Sequence, residues 1–213
     1  MFHMDRFNVI FDIDGVIVDS EQLHFDVLCD LAPDYTQHVQ PQQLIGLSLE
    51  ETLDYIGVPA QQQKEITAQI VSVYKSKLAK SYLRPGISRL ILALQQHRIP
   101  FGFVSTAPRE VCLANIGLLE LSESPALISG DDVERTKPHP DPYLAMLKLK
   151  SMDVHQTLVI EDTDLGITAA TQAGIPYVYA WPHALSVAEQ YQQATRIIGA
   201  LTDIPQFSKI NFG

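Results

Sequence analysis

Short apolar runs recur along this chain at 7–12, 99–105, 126–129, 157–161 and 176–180, and helical patterns near 86–97, 109–119, 141–151 and 165–174 separate the later ones. The first run, Phe7-Asn8-Val9-Ile10-Phe11, is rich in β-branched residues and too short for a helix, so it reads as a buried strand. Strands that alternate with helices fold as βαβ units around a mainly parallel sheet. The helix starts carry local signals. Asp141-Pro142 pairs a capping residue with proline at the first helical position, and Pro108 precedes Arg109-Glu110 in the same sense. Gly117 and Gly174 suit helix stops.

Between residues 19 and 82 the pattern changes. No strand run appears there, glutamine is frequent, and amphipathic stretches predict helices near 20–31, 48–57 and 61–80. Asp19 and Gln22 have the spacing of a capping box, so Asp19 is expected to cap the first of these helices. Arg84-Pro85-Gly86 marks the return to the α/β pattern. The expected organisation is a core of residues 1–18 and 83–213 with a helical block, 19–82, inserted after the first strand. A chain of 213 residues is long enough for that arrangement.

The composition excludes several classes. A 46% apolar fraction with 19% charged residues describes a globular protein, and a formal charge of −10 argues against nucleic acid or an anionic membrane as partner. Cys29 and Cys112 fit no metal-ligand spacing and read as reduced residues. Met1 to Arg6 show no apolar signal region, and no run approaches membrane-spanning length, which predicts a cytoplasmic protein. Nothing in the pattern selects an oligomeric state.

Polar residues gather where the strands should end, the edge at which α/β sheets bind ligands. The first run closes in Asp12-Ile13-Asp14-Gly15, the second in Ser105-Thr106, and the fourth in Glu161-Asp162-Thr163-Asp164-Leu165-Gly166. The loop Arg135-Thr136-Lys137-Pro138 precedes the Asp141 helix. Each cluster alone also suits a turn, a cap or a solvated surface. Asp162, Thr163 or Asp164 suits the cap of the helix that follows, and a helix N-cap explains Asp164. Together they compose a phosphoryl-transfer site. One carboxylate can attack phosphorus and form an aspartyl-phosphate, while another protonates the leaving oxygen and then deprotonates water. Four acids in one crevice need cations to stay ionised, and Mg²⁺ suits an all-oxygen site. Lys137 adds a point charge, and the Ser105 hydroxyl and Thr106 N–H can bind the phosphoryl oxygens.

Asp12-x-Asp14-Gly15, Ser105-Thr106, Lys137-Pro138 and Glu161-Asp162-Thr163-x-x-Gly166, in this order, resemble the four motifs of the haloacid dehalogenase superfamily. The likeness spans nearly the whole chain and includes a helical cap between the first two motifs. Asp14-Gly15-Val16-Ile17-Val18-Asp19-Ser20-Glu21 through His24 is similar to the β-phosphoglucomutase-like branch and its phosphatase relatives. The resemblance implies a Rossmann-like core with Asp12 as nucleophile and Asp14 as general acid and base. It implies phosphate binding by Ser105, Thr106 and Lys137. It also implies Mg²⁺ held by Asp12, the Asp14 carbonyl and Asp162, with Glu161 as ligand or just behind one.

The second aspartate separates this chain from the dehalogenases and phosphonatases of that superfamily. Gly46-Leu47-Ser48-Leu49 resembles the mutases' substrate loop, but Leu49 stands where they carry an arginine for the substrate's other phosphate. The expected activity is therefore hydrolysis of a small phosphorylated metabolite, a sugar phosphate being the first expectation. The alternative is a β-phosphoglucomutase-like isomerase, for which Lys75 or Lys77 could supply the missing charge. A receiver-like signalling domain is shorter and lacks the cap, and an inactive scaffold would not keep the whole acidic, lysine and serine set. His24 is read as an entrance or surface residue outside the site, and cap residues around 24, 45–50 and 74–77 are expected to set specificity.

Overall fold

The structure is a computed structural model, and it describes residues 7–186 and 190–212. Met1 to Arg6, read above for targeting signals, lie outside these residues. Among the described residues six strands form one parallel sheet: β1 (Asn8–Asp12), β2 (Phe101–Val104), β3 (Leu127–Ile128), β4 (Thr157–Glu161), β5 (Tyr177–Ala180) and β6 (Arg196–Ile197), in the order β3-β2-β1-β4-β5-β6. The order turns back at β1, which lies between β2 and β4. Crevices at such a reversal are where doubly wound sheets bind ligands. Phe11 pairs with Ile160, so Asp12 and Glu161 close their strands at one level.

Alternate residues of each strand face opposite sides of a sheet, and the core divides accordingly. Val9 and Phe11 pack with Phe103, Leu158 and Ile160 against α5 (Ile87–Gln96) and α6 (Arg109–Ile116). Ile10, Val104 and Val159 pack on the other side against α7 (Asp141–Leu149) and α8 (Asp164–Gln172). The fold is the expected α/β class with a Rossmann-like, fully parallel sheet. The strand β6 was not anticipated. It has only two residues, too few for a period to register.

The stretch expected to be helical contains α1 (Glu21–Leu31), α2 (Pro33–Thr36), α3 (Leu49–Tyr55) and α4 (Ala60–Lys77). Leu23, Val27, Leu28, Leu53, Ile70, Val71 and Tyr74 form their own apolar cluster, joined from the sheet side by Val111 of α6. The two chain segments that join these helices to the sheet run antiparallel and pair with each other. Asp19 N–H donates to the Tyr82 carbonyl (2.7 Å) and Arg84 N–H to that of Ile17 (3.0 Å).

Three capping expectations need correction. Ser20, not Asp19, precedes α1 at the cap position and makes no side-chain capping bond; Asp19 instead lies 3.9 Å from His183. Asp141 is the first helical residue of α7, where its carboxylate takes the Arg135 guanidinium fork at 2.9 Å on both oxygens. Thr163, not Asp164, caps α8 by accepting from Gly166 N–H (3.1 Å), and Asp164 accepts from the backbone of Gln190 and Tyr191. For Asp141 the Arg135 guanidinium, and for Asp164 the neighbouring Thr163 hydroxyl and a distant backbone segment, outcompete the local spacing.

Candidate active site

Asp12, at the end of β1, sits at the bottom of a cavity of about 100 Å³ between the sheet and the helical block. Asp14, Ser105, Thr106 and Lys137 line the same cavity. Lys137 is 5% exposed and donates from Nζ to Asp12 Oδ1 and to Glu161 Oε1 (2.5 Å). This buried triad joins the ends of β1 and β4 to the loop before α7. Burial alone would push the Lys137 ammonium toward neutrality, but Asp12 and Glu161 raise its proton affinity above the ordinary lysine value. Burial pushes the Asp12 carboxyl well above the usual carboxylate range, Lys137 opposes that push, and Glu161 and Asp162 add to it.

Glu161 is wholly buried and its oxygens are fully used. Oε1 also accepts from Tyr143 Oη (2.7 Å), and Oε2 accepts from Asp162 N–H (3.0 Å), Thr163 N–H (3.2 Å) and Thr163 Oγ1 (3.2 Å). Five donors on one carboxylate make an anchor for Lys137 and for the turn into α8. A methyl group at Gly166 would land on the Glu161 carboxylate, so only glycine lets α8 start that close.

Asp162 has the opposite character. It too is wholly buried, yet neither carboxylate oxygen has a hydrogen-bond donor among the described residues. His183 Nε2 lies 3.0 Å from its Oδ2. Burial, reinforced by the Glu161 charge, pushes its carboxyl well above the ordinary value. Buried carboxylates are normally hydrogen-bonded, so a carboxylate without a donor on either oxygen suits a cation as partner. Asp12, Glu161 and Asp162 each bring an oxygen within 4.8 Å of the others, an all-oxygen set that suits a hard divalent ion such as Mg²⁺. Gly15 (φ +79°) leaves room for the Asp162 carboxylate, whose place a methyl group there would occupy.

Asp14 is embedded in donors. Its Oδ1 meets Ser20 Oγ (3.3 Å), His24 Nε2 (3.1 Å) and Asn115 Nδ2 (3.1 Å), and its Oδ2 accepts from Ser105 Oγ (3.4 Å). Burial would raise its proton affinity, but the His24 and Ser20 contacts and the Lys137 charge outweigh it, and the carboxyl titrates below its ordinary value. Two adjacent carboxyls are thus pushed apart, the arrangement by which sites assign different acid–base roles to like groups.

The sequence-predicted residues therefore converge on one cavity and its floor. His24, expected at the periphery, belongs among them: it reaches Asp14 and its ring stacks on Tyr74 at 4.0 Å. Asn115 was missed, and Tyr74, within a stretch expected only to set specificity, joins it. Tyr74 Oη donates to Asn115 Oδ1 (2.7 Å), so α4 reaches Asp14 through α6. A signal for Asn115 existed, because Val111, Cys112, Asn115 and Ile116 share a helical face and a buried asparagine must find partners. Arg84 was also overlooked. Its guanidinium donates to the carbonyls of Gly15 (2.5 Å), Trp181 (2.9 Å) and Pro182 (2.8 Å) and lies over the Trp181 ring, tying the turn after β1 to the segment after β5.

Comparison with known proteins agrees with this geometry. The haloacid dehalogenase-like hydrolase family profile matches residues 9–180. A phosphorylated carbohydrates phosphatase of Thermotoga maritima is 27% identical, covering 84% of this chain and 86% of that protein. A validoxylamine A 7'-phosphate phosphatase of Streptomyces hygroscopicus subsp. limoneus is 29% identical over 78% and 81% of the two chains. Among solved structures, a β-phosphoglucomutase from Clostridium difficile superposes with a TM-score of 0.79 at 20% identity, covering 93% of each chain, a likeness of fold.

The bare carboxylate oxygens generate a prediction that needs no substrate. Mg²⁺ should raise the melting temperature, and more at pH 8 than at pH 5.5, because the raised Asp12 and Asp162 carboxyls must release protons to take the ion. Without metal the sign reverses. The folded state then holds protons that the unfolded chain has lost, so stability falls as pH rises above the ordinary carboxylate range. Differential scanning fluorimetry of wild type and Asp162→Asn checks both, with the variant losing most of the Mg²⁺ response.

Proposed function

We propose that this chain, which belongs to the haloacid dehalogenase-like hydrolase family, is a Mg²⁺-dependent phosphatase that hydrolyses a small phosphorylated metabolite through an aspartyl-phosphate on Asp12. The observation that carries the reading is the buried Asp12–Lys137–Glu161 triad with Asp14, ringed by donors, in the same cavity. The names of the curated relatives point to the same reaction. The sequence expectation of a sugar phosphate draws support from the relative named for carbohydrates. Residues 19–82 act as a cap over the core of residues 1–18 and 83–213. No described helix is long and apolar enough to cross a membrane and Cys29 and Cys112 are unpaired, which fits the cytoplasm.

In this reading one oxygen of the Asp12 carboxylate attacks phosphorus, and the ester oxygen leaves with a proton from Asp14. Asp14, now a carboxylate, then takes a proton from the water that attacks the phosphoenzyme. Phosphate is released and Asp12 is restored. The donors around Asp14 favour its ionised form, which the second step requires. The first step requires the acid, and a phosphate dianion placed beside Asp14 would raise its proton affinity. Lys137 and Ser105 hold the phosphoryl oxygens, and Thr106 offers its N–H. Asp12, the Asp14 carbonyl and Asp162 would hold Mg²⁺, which would supply positive charge to the phosphoryl-transfer step. Glu161 acts by fixing Lys137.

The isomerase alternative requires a cation in the cap. Leu49 lines the cavity, whereas Lys75 pairs with Glu110 (3.0 Å) and Lys77 with Asp30 (3.2 Å) at the surface, and neither lysine lines the cavity. Losing a charge-assisted contact to the second phosphate costs a mutase about 1.5–3 kcal/mol of binding.

Asp12→Asn should fold normally and lose at least about three orders of magnitude in kcat, measured as phosphate released from a panel of phosphorylated metabolites. Turnover near the wild-type rate would remove Asp12 as nucleophile. Incubation with β-glucose 1-phosphate, a catalytic amount of bisphosphate and Mg²⁺ separates the two activities. Hydrolysis without any bisphosphate requirement is expected of a phosphatase. Rapid formation of glucose 6-phosphate with little free phosphate would establish the isomerase.

A further inference from the structure

Among the charged side chains that line the cavity, one stands without a partner. Asp12 and Lys137 hold each other, and Asp14 is ringed by donors that include His24. Glu21, the first residue of α1, lines the same cavity, yet its carboxyl makes no hydrogen bond or ion pair among the described residues. It is half-buried and lies one turn before His24, on the face of α1 that reaches Asp14. An acid in the first turn of a helix is favourable on an open surface, where free N–H groups and water offset its charge. This one faces inward. Burial pushes its carboxyl well above the usual carboxylate range, and the charges of Asp14, Asp162 and Asp12 add to the push. Its hydrogen-bonding capacity is left to whatever occupies the cavity.

The surroundings of the cavity carry the same sign. A groove of about 540 Å³ adjoins it and shares Leu49, Thr106 and Pro108 with it. Glu50, Glu51, Asp131 and Glu134 line that groove, against one cation among the described residues, Lys64. An anionic body on the substrate would meet carboxylates along this groove and again at Glu21, and juxtaposed like charges are costly. A second carboxylate beside Glu21 would be accommodated only if one of the two took up a proton. A hydroxyl or an ammonium in the same place would instead donate to Glu21, with the Thr52 hydroxyl in the same lining. We propose that Glu21 selects the leaving group: the alcohol released is uncharged or cationic and donates an O–H or N–H hydrogen bond to Glu21, and an alcohol that carries its own acid is rejected. The inference rests on the phosphatase reading and narrows it.

The test uses two-carbon phosphate esters that differ only at the far carbon: ethyl, 2-hydroxyethyl and 2-aminoethyl phosphate, and 2-phosphoglycolate, assayed for phosphate release with Mg²⁺ at pH 8. Acetyl phosphate, an activated donor with almost no body, reports the phosphatase reaction itself in the same buffer. The better of the hydroxyl and amino esters, which identifies the donor as O–H or N–H, should exceed both ethyl phosphate and phosphoglycolate in kcat/KM by at least about tenfold. Glu21→Gln, which keeps the shape and removes the charge, should raise phosphoglycolate relative to the 2-hydroxyethyl ester by about tenfold. Glu21→Ala should bring the 2-hydroxyethyl and ethyl esters to nearly equal use. These ratios are independent of any overall loss of activity. Phosphoglycolate or ethyl phosphate used as well as the donor-bearing esters overturns the inference, as do ratios unmoved by Glu21→Gln and Glu21→Ala, or turnover of acetyl phosphate with none of the four esters. Failure to turn over acetyl phosphate would count instead against the phosphatase reading beneath it.

Discussion

The structure depends on one buried cation held between two carboxylates. Lys137 reaches from a loop to Asp12 at the end of β1 and Glu161 at the end of β4, the two neighbouring strands at which the sheet order turns back. Taking three charges out of water is costly and is sustained only when every lone pair and proton is matched. Glu161 meets that requirement with five donors, so it serves as the fixed point. Removing the lysine would leave two uncompensated buried carboxylates, a loss on the order of 3–5 kcal/mol. Burial and the neighbouring carboxyls raise the proton affinity of Asp12 and Asp162, so a divalent ion that replaces those protons would complete the site.

The helical block is coupled to this centre by polar contacts rather than by packing alone. His24 from α1 touches Asp14 directly, and Tyr74 from α4 reaches it through Asn115 of α6. Any motion of the block away from the sheet would strip donors from Asp14. The paired connecting segments and the Arg84 clamp on Gly15 mark where such motion must pivot. The same block brings apolar side chains over the cavity, so one element both sets the environment of Asp14 and shapes the space for the leaving group.

Much of this was legible in the sequence because strand ends advertise themselves. Asp12, Asp14, Ser105, Glu161 and Asp162 each close or follow an apolar run, Lys137 sits in the loop before the Asp141 helix, and the α/β alternation implies that the runs end on one edge. What escaped reading depends on orientation across elements. His24 and Tyr74 join the site only through the packing of α1 and α4 over the sheet, and Arg84 only because the segment after β5 comes within reach. The distinction between Glu161 and Asp162 was also hidden. The two are adjacent and chemically alike, and only the count of donors around each separates an anchor from a bare ligand. Capping went wrong where a rival partner was distant in sequence, as with Arg135 on Asp141 and the Gln190–Tyr191 backbone on Asp164.

The central claim is that Asp12 accepts the phosphoryl group, and a trapped intermediate tests it most directly. Asp14→Asn removes the group that activates water but leaves Asp12, Lys137 and the carboxylates of Asp162 and Glu161 in place. Mixed with acetyl phosphate and Mg²⁺ and quenched in acid, this variant should carry one added phosphoryl group by intact-protein mass spectrometry. The group should be labile to hydroxylamine, as an acyl phosphate is, and should map to the peptide containing Asp12. A phosphoryl group on any other residue, or phosphate release by the wild type with no covalent adduct trapped in the variant, would contradict the account.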